Sequence, residues 1–316
     1  MKWSRWNTVW ASLAVCCGLS LPVQAQVDLS GTWAPRLHED YEARLTGPEF
    51  VDYTGIPLNK DGLASALSYT TATFAELDRS CAPYAAPYLL LGPWGVRISP
   101  VMDEKSGQVS AWRVSGAMDR EAMTIWIDGR EAPGPEALHT FAGYSVGRWQ
   151  GNTLVVTTTH LKDSYLTRNG VPSSSREKAT FFFSRHDQDL TVTVVVEDPT
   201  YLSAPYVMSR TWVIENAQPV GAPVSYCTPE EELSSVSPNT VAHFLPGKNT
   251  SADVMTKDYN LPKSATYGGM ATMFPEFVQQ LKADHYRPAG QCTRYCCGDS
   301  TDTEYVVKTL MCKTGP

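Results

Sequence analysis

The side chains best suited to chemistry in this 316-residue sequence are a few scattered histidines, arginines and tyrosines. His160 is followed closely by Lys162, Asp163 and Tyr165. An imidazole titrates near neutral pH, so His160 is a candidate general base, with Tyr165 or Arg168 placed to stabilise developing negative charge. The plainer expectation for His160 is a ring that simply bonds a loop carbonyl. His139, just before a β-rich stretch, and His243, before a Pro-Gly turn, are further candidates for touching a ligand. Together the three could supply nitrogens to a zinc ion, but no short His-x-His or His-Glu-x-x-His spacing supports that, and no metal or organic cofactor is expected. Arg148 and Arg168 could clamp a carboxylate, although strand and turn arginines are usually solvated. Phosphate-binding loops and dinucleotide fingerprints are missing from the sequence.

Aromatic residues are the more suggestive group in bulk. Trp33, Trp94, Trp112, Trp126, Trp149 and Trp212 all fall on or beside expected strands. Rings alternating into a barrel lumen would offer flat apolar surface with a polar handle, suited to a small apolar or aromatic molecule. The bland alternative for each of them is ordinary core.

The elements that must position these residues are mostly strands. Residues 96–101, 109–114 and 123–128 are short β-rich runs separated by turn residues. Residues 144–160 form the strongest expected hairpin, with Gly151-Asn152 supplying the positive φ of a tight turn. Residues 181–184 and 190–197 make a second hairpin, and Val192, Val194 and Val196 share one face of its return strand. Residues 206–215 add another strand, and residues 27–33 an entry strand. Helices are expected within residues 59–78, 229–236 and 273–285, the last with Phe274, Phe277, Val278 and Leu281 on one face. Consecutive strands with short turns point to a mainly β protein whose antiparallel meander closes into a barrel, with peripheral and C-terminal helices.

Residues 1–25 read as a cleavable secretory signal, with Lys2 and Arg5, an apolar run and small residues before Gln26. The run is too short for a transmembrane anchor and Pro22 interrupts it. A periplasmic or secreted location is therefore expected. Residues 26–218 form the expected barrel domain, residues 219–290 a helical and loop region covering it, and residues 291–316 a cysteine-rich tail. Six cysteines remain after Cys16 and Cys17 leave with the signal, and an even number outside the cytoplasm reads as disulfides, with metal binding the alternative. The 26 Lys and Arg against 33 Asp and Glu give a net charge of −7. That acidity argues against a nucleic-acid partner, which would require a basic face.

Two resemblances follow from particular motifs. Ser30-Gly31-Thr32-Trp33 resembles the Gly-x-Trp motif at the first strand of lipocalins. The resemblance implies that Trp33 closes one barrel end and that Arg210, from a late strand, packs on it. Residues 143–156, Gly-Tyr-Ser-Val-Gly-Arg-Trp-Gln-Gly-Asn-Thr-Leu-Val-Val, are similar to the central hairpin of uncharacterised secreted bacterial proteins. Thr159-His160-Leu161, Arg168-Asn169-Gly170-Val171-Pro172, Asp198-Pro199-Thr200-Tyr201-Leu202 and His243-Phe244-Leu245-Pro246-Gly247 extend that similarity. Tyr144 stands where relatives often carry His, and Phe181-Phe182 where some carry Glu-His, so any chemistry of those groups would be lost or altered here.

The leading expectation is a lipocalin-like barrel that binds a small apolar or aromatic molecule. Trp33, Tyr144, Arg148, Trp149 and Arg210 are the expected ligand-binding residues, joined by His139 and His243. The alternative is a cofactor-independent lyase, isomerase or hydrolase using His160, Tyr165 and Arg168. A structural envelope protein with an interacting cysteine-rich tail is a third reading. The oligomeric state is left open.

Overall fold

The computed structural model describes residues 27–36, 48–70, 72, 84–91, 95–116, 122–215, 242–258 and 261–284. The signal segment, the six remaining cysteines with their expected disulfides, Trp94 and the helix expected at residues 229–236 lie outside the described residues.

Eleven strands are described, nine of them closing a barrel. The barrel strands are β1 (Gly31–Pro35), β2 (Val96–Met102), β3 (Val109–Gly116), β4 (Met123–Trp126), β5 (Tyr144–Gln150), β6 (Thr153–Thr159), β9 (Lys178–His186), β10 (Asp189–Glu197) and β11 (Tyr206–Ile214). Around the barrel the order is β1-β11-β10-β9-β6-β5-β4-β3-β2. The two short strands β7 (Ser164–Tyr165) and β8 (Pro172–Ser173) form a separate ladder between β6 and β9 in the chain. Five short α-helices are described: α1 (Lys60–Ser68), α2 (Ala86–Leu91), α3 (Val254–Asp258), α4 (Lys263–Thr266) and α5 (Pro275–Ala283).

Period-two patterning builds the walls. Along β10, Leu190, Val192, Val194 and Val196 are buried while the residues between them are half-buried. Their partners across the ladder, Phe181 and Phe183 on β9, are fully buried, as are Leu154 and Val156 on β6. Truncating one such phenylalanine would cost about 3–5 kcal/mol. The β5–β6 turn is tight because Gly151 takes φ +60°, a conformation that costs glycine nothing. Asp187 provides the positive φ for the β9–β10 turn.

One ladder departs from a pure meander. β4 and β5 pair in parallel, Ile125 with Ser145 and Trp126 with Val146, so residues 127–143 must travel back along the barrel before β5 begins. This return strap is fastened to the exit of β6. The Thr140 N–H donates to the His160 carbonyl at 3.0 Å and Lys162 N–H to the Thr140 carbonyl at 2.9 Å.

The barrel interior is a packed core. Its polar content includes the buried pair Ser145 and Thr158, whose hydroxyls bond each other at 2.8 Å. Of the tryptophans expected to line a lumen, Trp33, Trp112 and Trp212 are buried in this core. At the C-terminal side, α5 begins with Pro275 in its first turn as expected, but none of its residues is buried, and Phe274 and Val278 are about half exposed.

Candidate functional site

The two ends of the barrel differ. At the end where β9 turns into β10, Trp33 and Trp212 are wholly buried beside Leu29 and Leu190. The Trp33 Nε1–H donates to the Leu29 carbonyl at 3.1 Å. The guanidinium lying over the Trp33 ring, 5.2 Å from its centroid, is that of Arg185, on the β9–β10 hairpin. Arg185 also donates from Nη1 to the Asp28 carbonyl at 2.5 Å and from Nε to the Asp187 carbonyl at 3.0 Å. The tryptophan that closes a barrel end is thus capped by an arginine from β9, while Arg210 lines a cavity described next.

At the other end the sheet leaves space. β1 pairs with β11 only from Trp212 to Ile214, whereas β10 pairs with β11 from Tyr206 to Val213. Among the described residues, the entry half of β11 therefore has β10 on one side and a cavity of about 470 Å³ on the other. Its apolar lining is Ile56, Leu166, Tyr88, Tyr206, Met208 and Met273. Arg168, Arg210, Asp52, Thr54, Thr167 and Ser209 supply polar groups. This size and mixture match the range of small-molecule sites.

Three segments distant in sequence supply most of the cavity walls, with Tyr88 and Met273 added from two others. Residues 48–56 are one of them, strapped to the C-terminal region. Tyr53 N–H donates to the Thr266 carbonyl at 2.7 Å, Thr54 Oγ1 to the Ala265 carbonyl at 3.0 Å, and Gly55 N–H to Thr272 Oγ1 at 2.9 Å. Close approach here needs Gly268, with φ +74°, because a Cβ on it would lie 1.8 Å from the Tyr53 carbonyl oxygen. The second segment is the loop between β7 and β8, carrying Leu166, Thr167 and Arg168. Asn169, 1% exposed, joins the two: its Nδ2 donates to the carbonyls of Glu49 at 2.9 Å and Asp52 at 2.7 Å, and its Oδ1 accepts from Thr167 Oγ1 at 2.6 Å. Between those carbonyls sits Val51, a buried β-branched residue at φ +66°. Such a residue in the left-handed region is strained, and the Asn169 clamp holds it there. The third segment is the entry half of β11 itself.

Tyrosines crowd this end. The Tyr84 and Tyr88 rings lie 4.0 Å apart, and Tyr69 meets Tyr165 edge-on at 5.3 Å. The Tyr69 hydroxyl donates to the Arg168 carbonyl at 3.3 Å. Burial is the main cause that raises the Tyr84 hydroxyl to about 12 and pushes Tyr69 and Tyr88 higher still, while the Arg168 charge pulls all three downward. These phenols are therefore neutral donors at ordinary pH, in the field of one guanidinium.

Beneath the β7–β8 loop lies a buried acid that sequence reasoning missed. Glu177, 2% exposed, accepts a short hydrogen bond at Oε2 from the Ser173 hydroxyl, and its Oε1 has no partner among the described residues. Burial first, and the nearby Asp198 charge second, raise it to about 8 against the Ser173 bond, which lowers it. Asp198 is held by the Ser174 N–H and hydroxyl, each at 2.7 Å, and by the Thr200 N–H at 2.9 Å. Glu177 precedes a strand directly, where a charged residue reads as solvated surface, so no signal in the sequence marks it.

The other expected site residues are spread around the barrel. His160 takes φ +58°, and both of its ring nitrogens are engaged, Nδ1 with Thr159 Oγ1 at 2.8 Å and Nε2 with the Gly134 carbonyl at 2.9 Å. His139 Nδ1 bonds the Leu161 carbonyl at 2.7 Å, and the two imidazoles are 5.2 Å apart. The pair thereby fastens the return strap to the end of β6. Tyr165 belongs to the tyrosine cluster and Arg168 to the cavity lining, whereas His160 bonds Thr159 and the Gly134 carbonyl. His243 is exposed on a separate segment tied to α1 by the Phe244 N–H on the Ser68 carbonyl at 2.7 Å. No group of three or more metal-binding side chains gathers among the described residues. Arg148 is exposed on β5, on the face opposite buried Ser145 and Gly147. Tyr144 shares Arg148's face and interacts with Arg130. Trp149 points to the inner face, half-buried against the core, with its Nε1 lacking a partner among the described residues.

No described helix is long and apolar enough to cross a membrane. No family model, curated protein or solved structure matches the chain.

Proposed function

We propose that this protein is a periplasmic or secreted binding barrel for a small, largely apolar molecule held in the cavity beside the entry half of β11. The single observation that carries this reading is the cavity itself, about 470 Å³ lined by Ile56, Leu166, Tyr88, Tyr206, Met208 and Met273. A packed barrel would supply the rigid frame, and loops fastened by Asn169 and Gly268 the pre-formed walls, which limits the ordering cost of binding. Export rests on the basic-then-apolar leader of residues 1–25.

Fluorescence titration with the neutral apolar probe N-phenylnaphthylamine tests this. The expected result is saturable binding that weakens about fivefold or more when Met273→Trp fills part of the cavity, since a lost apolar contact of this size is worth on the order of 1 kcal/mol. Met273 is well exposed, so the larger ring is tolerated by the fold. Absence of saturable binding, or binding indifferent to Met273→Trp but abolished by Trp149→Ala, would contradict the assignment of the site.

A further inference from the structure

We propose that Glu177 is a proton-operated latch on the β7–β8 hairpin. With its proton it holds the base of the hairpin against the barrel; without it the base parts, and the cavity wall of residues 166–168 that the hairpin carries is released with it. The latch is a property of the fold and is independent of what the cavity holds.

The hairpin is fastened at two places. Its tip is held by Asn169 on the Glu49 and Asp52 carbonyls. Its base is fastened by polar groups, since Ser164, Ser173, Ser174, Glu177 and Asp198 are each 7% exposed or less. The Ala85 N–H donates to Ser164 Oγ at 3.2 Å, and the Ser173 hydroxyl donates to Glu177 Oε2. The two buried carboxyls of this base are served unequally. Asp198 accepts from the Ser174 N–H, the Ser174 hydroxyl and the Thr200 N–H, a set of donors that suits an ionised carboxylate. Glu177 accepts from Ser173 alone, and its Oε1 meets no donor among the described residues, although an ionised carboxylate offers about four acceptor sites. The base is therefore built for one charge, and Asp198 carries it. Loss of the Glu177 proton puts a second negative charge beside the first, buried and with one donor to receive it.

The charged groups on the elements packed around the base lie at the surface. Lys162, Asp163 and Arg176, next to the hairpin in the chain, are exposed, and Asp163 accepts the Ser175 N–H at 2.6 Å. Lys178 and Glu197, at the adjoining ends of β9 and β10, pair with each other at 2.6 Å and are half exposed. Helix α1, which packs on β8, brings Lys60 and Asp61, both exposed. Tyr84 and Tyr88, on either side of the Ala85 that bonds Ser164, are neutral phenols. An ionised Glu177 is thus relieved by reaching water, which requires the base of the hairpin to part. Burial first and Asp198 second raise the acid from 4.5 to about 8 in the closed hairpin, and opening returns it to its ordinary value. The opening constant therefore rises by up to about tenfold per pH unit between 4.5 and about 8 and levels off above.

Amide hydrogen exchange of the full chain, followed from about pH 5.5 to about pH 9 and corrected for the intrinsic base-catalysed rate, reads this opening directly. The reporter is the Leu166 N–H, on the cavity wall itself and bonded to the Val171 carbonyl at 2.8 Å, with the Val192 and Val194 amides of β10 marking global unfolding. The Leu166 opening constant is expected to exceed that of the β10 amides, to rise about tenfold or more as the pH approaches 8, and then to level off. In Glu177→Gln, which keeps the size and neutrality of the acid, it should change less than about twofold over the same range. Should that variant not fold, Ser173→Ala removes the one bond that favours the ionised form, and the rise should then continue to higher pH than in the unaltered protein. A Leu166 opening constant that is flat with pH, that merely equals the β10 value, that rises equally in Glu177→Gln, or that levels off at the same pH in Ser173→Ala would overturn the latch.

Discussion

One end of this barrel is sealed and the other borders a cavity, and the contrast lies in what meets the strand ends. At the sealed end, Trp33, Trp212, Leu29 and Leu190 are buried to 1% exposure or less, and Arg185 covers the Trp33 ring. At the open end the pairing of β1 with β11 stops at Trp212, and loops fastened by buried polar groups replace strands. Apolar area stabilises the first end, whereas hydrogen bonds, strain and a raised acid set the shape of the second. Under the proposed function, stability and recognition are thus assigned to opposite ends.

The comparison breaks most sharply with Trp33→Ala. Loss of a fully buried ring at the sealed end should lower stability by about 3–5 kcal/mol in urea denaturation, with probe affinity of the remaining folded protein unchanged. A stability loss below that of an ordinary surface change would show that the seal contributes little.

Glu177 sharpens the contrast through pH. Its acid form is the one the fold prefers, since burial and Asp198 raise it from 4.5 to about 8. The unfolded chain gives up that proton once the pH passes the ordinary value, so the stabilisation is complete below about 4.5 and is lost as pH rises towards about 8. Denaturation across that window should show stability falling by up to about 1.4 kcal/mol per pH unit from this group, with the slope much reduced in Glu177→Gln. A Gln variant with an unchanged slope would remove Glu177 from the account.

Asn169→Ala comes next. It removes the bonds that hold the strained turn at Val51 against the Arg168 loop, and should cost about 1–3 kcal/mol while weakening binding of N-phenylnaphthylamine. A variant equally destabilised but with unchanged affinity would mean that the clamp serves the fold and not the cavity. Arg148→Ala should have the smallest effect, within about 0.5 kcal/mol and without influence on binding, because the side chain is exposed on the outer face of β5.

Most strands were legible because alternation is a local property. Val192, Val194 and Val196 announce one buried face whatever lies around them, and Gly151-Asn152 announces its turn. The closed barrel follows from a run of such hairpins. The parallel β4–β5 pair was not legible, because residues 127–143 return without a helix and resemble an ordinary long loop. The arginine over Trp33 was hard to read for a similar reason. Arg185 and Arg210 both lie near strand residues in the sequence, and only three-dimensional pairing puts Arg185 over Trp33 and Arg210 in the cavity. The cavity draws on Asp52, Arg168, Met208 and Met273, which no spacing rule connects. Its one readable hint was the Arg168-Asn169-Gly170 turn, whose asparagine proves to be the clamp between two walls.

The most direct test of the division between the two ends is a carbon-13 methionine methyl spectrum recorded while N-phenylnaphthylamine is added. Met208 and Met273 line the cavity, Met123 is fully buried in the barrel, and Met102 is exposed on the barrel strand β2. The account predicts that the Met208 and Met273 methyls shift along one saturable curve while Met123 and Met102 stay in place. Shifts led by Met123 would put the ligand inside the barrel and contradict it, as would a spectrum that does not respond at all.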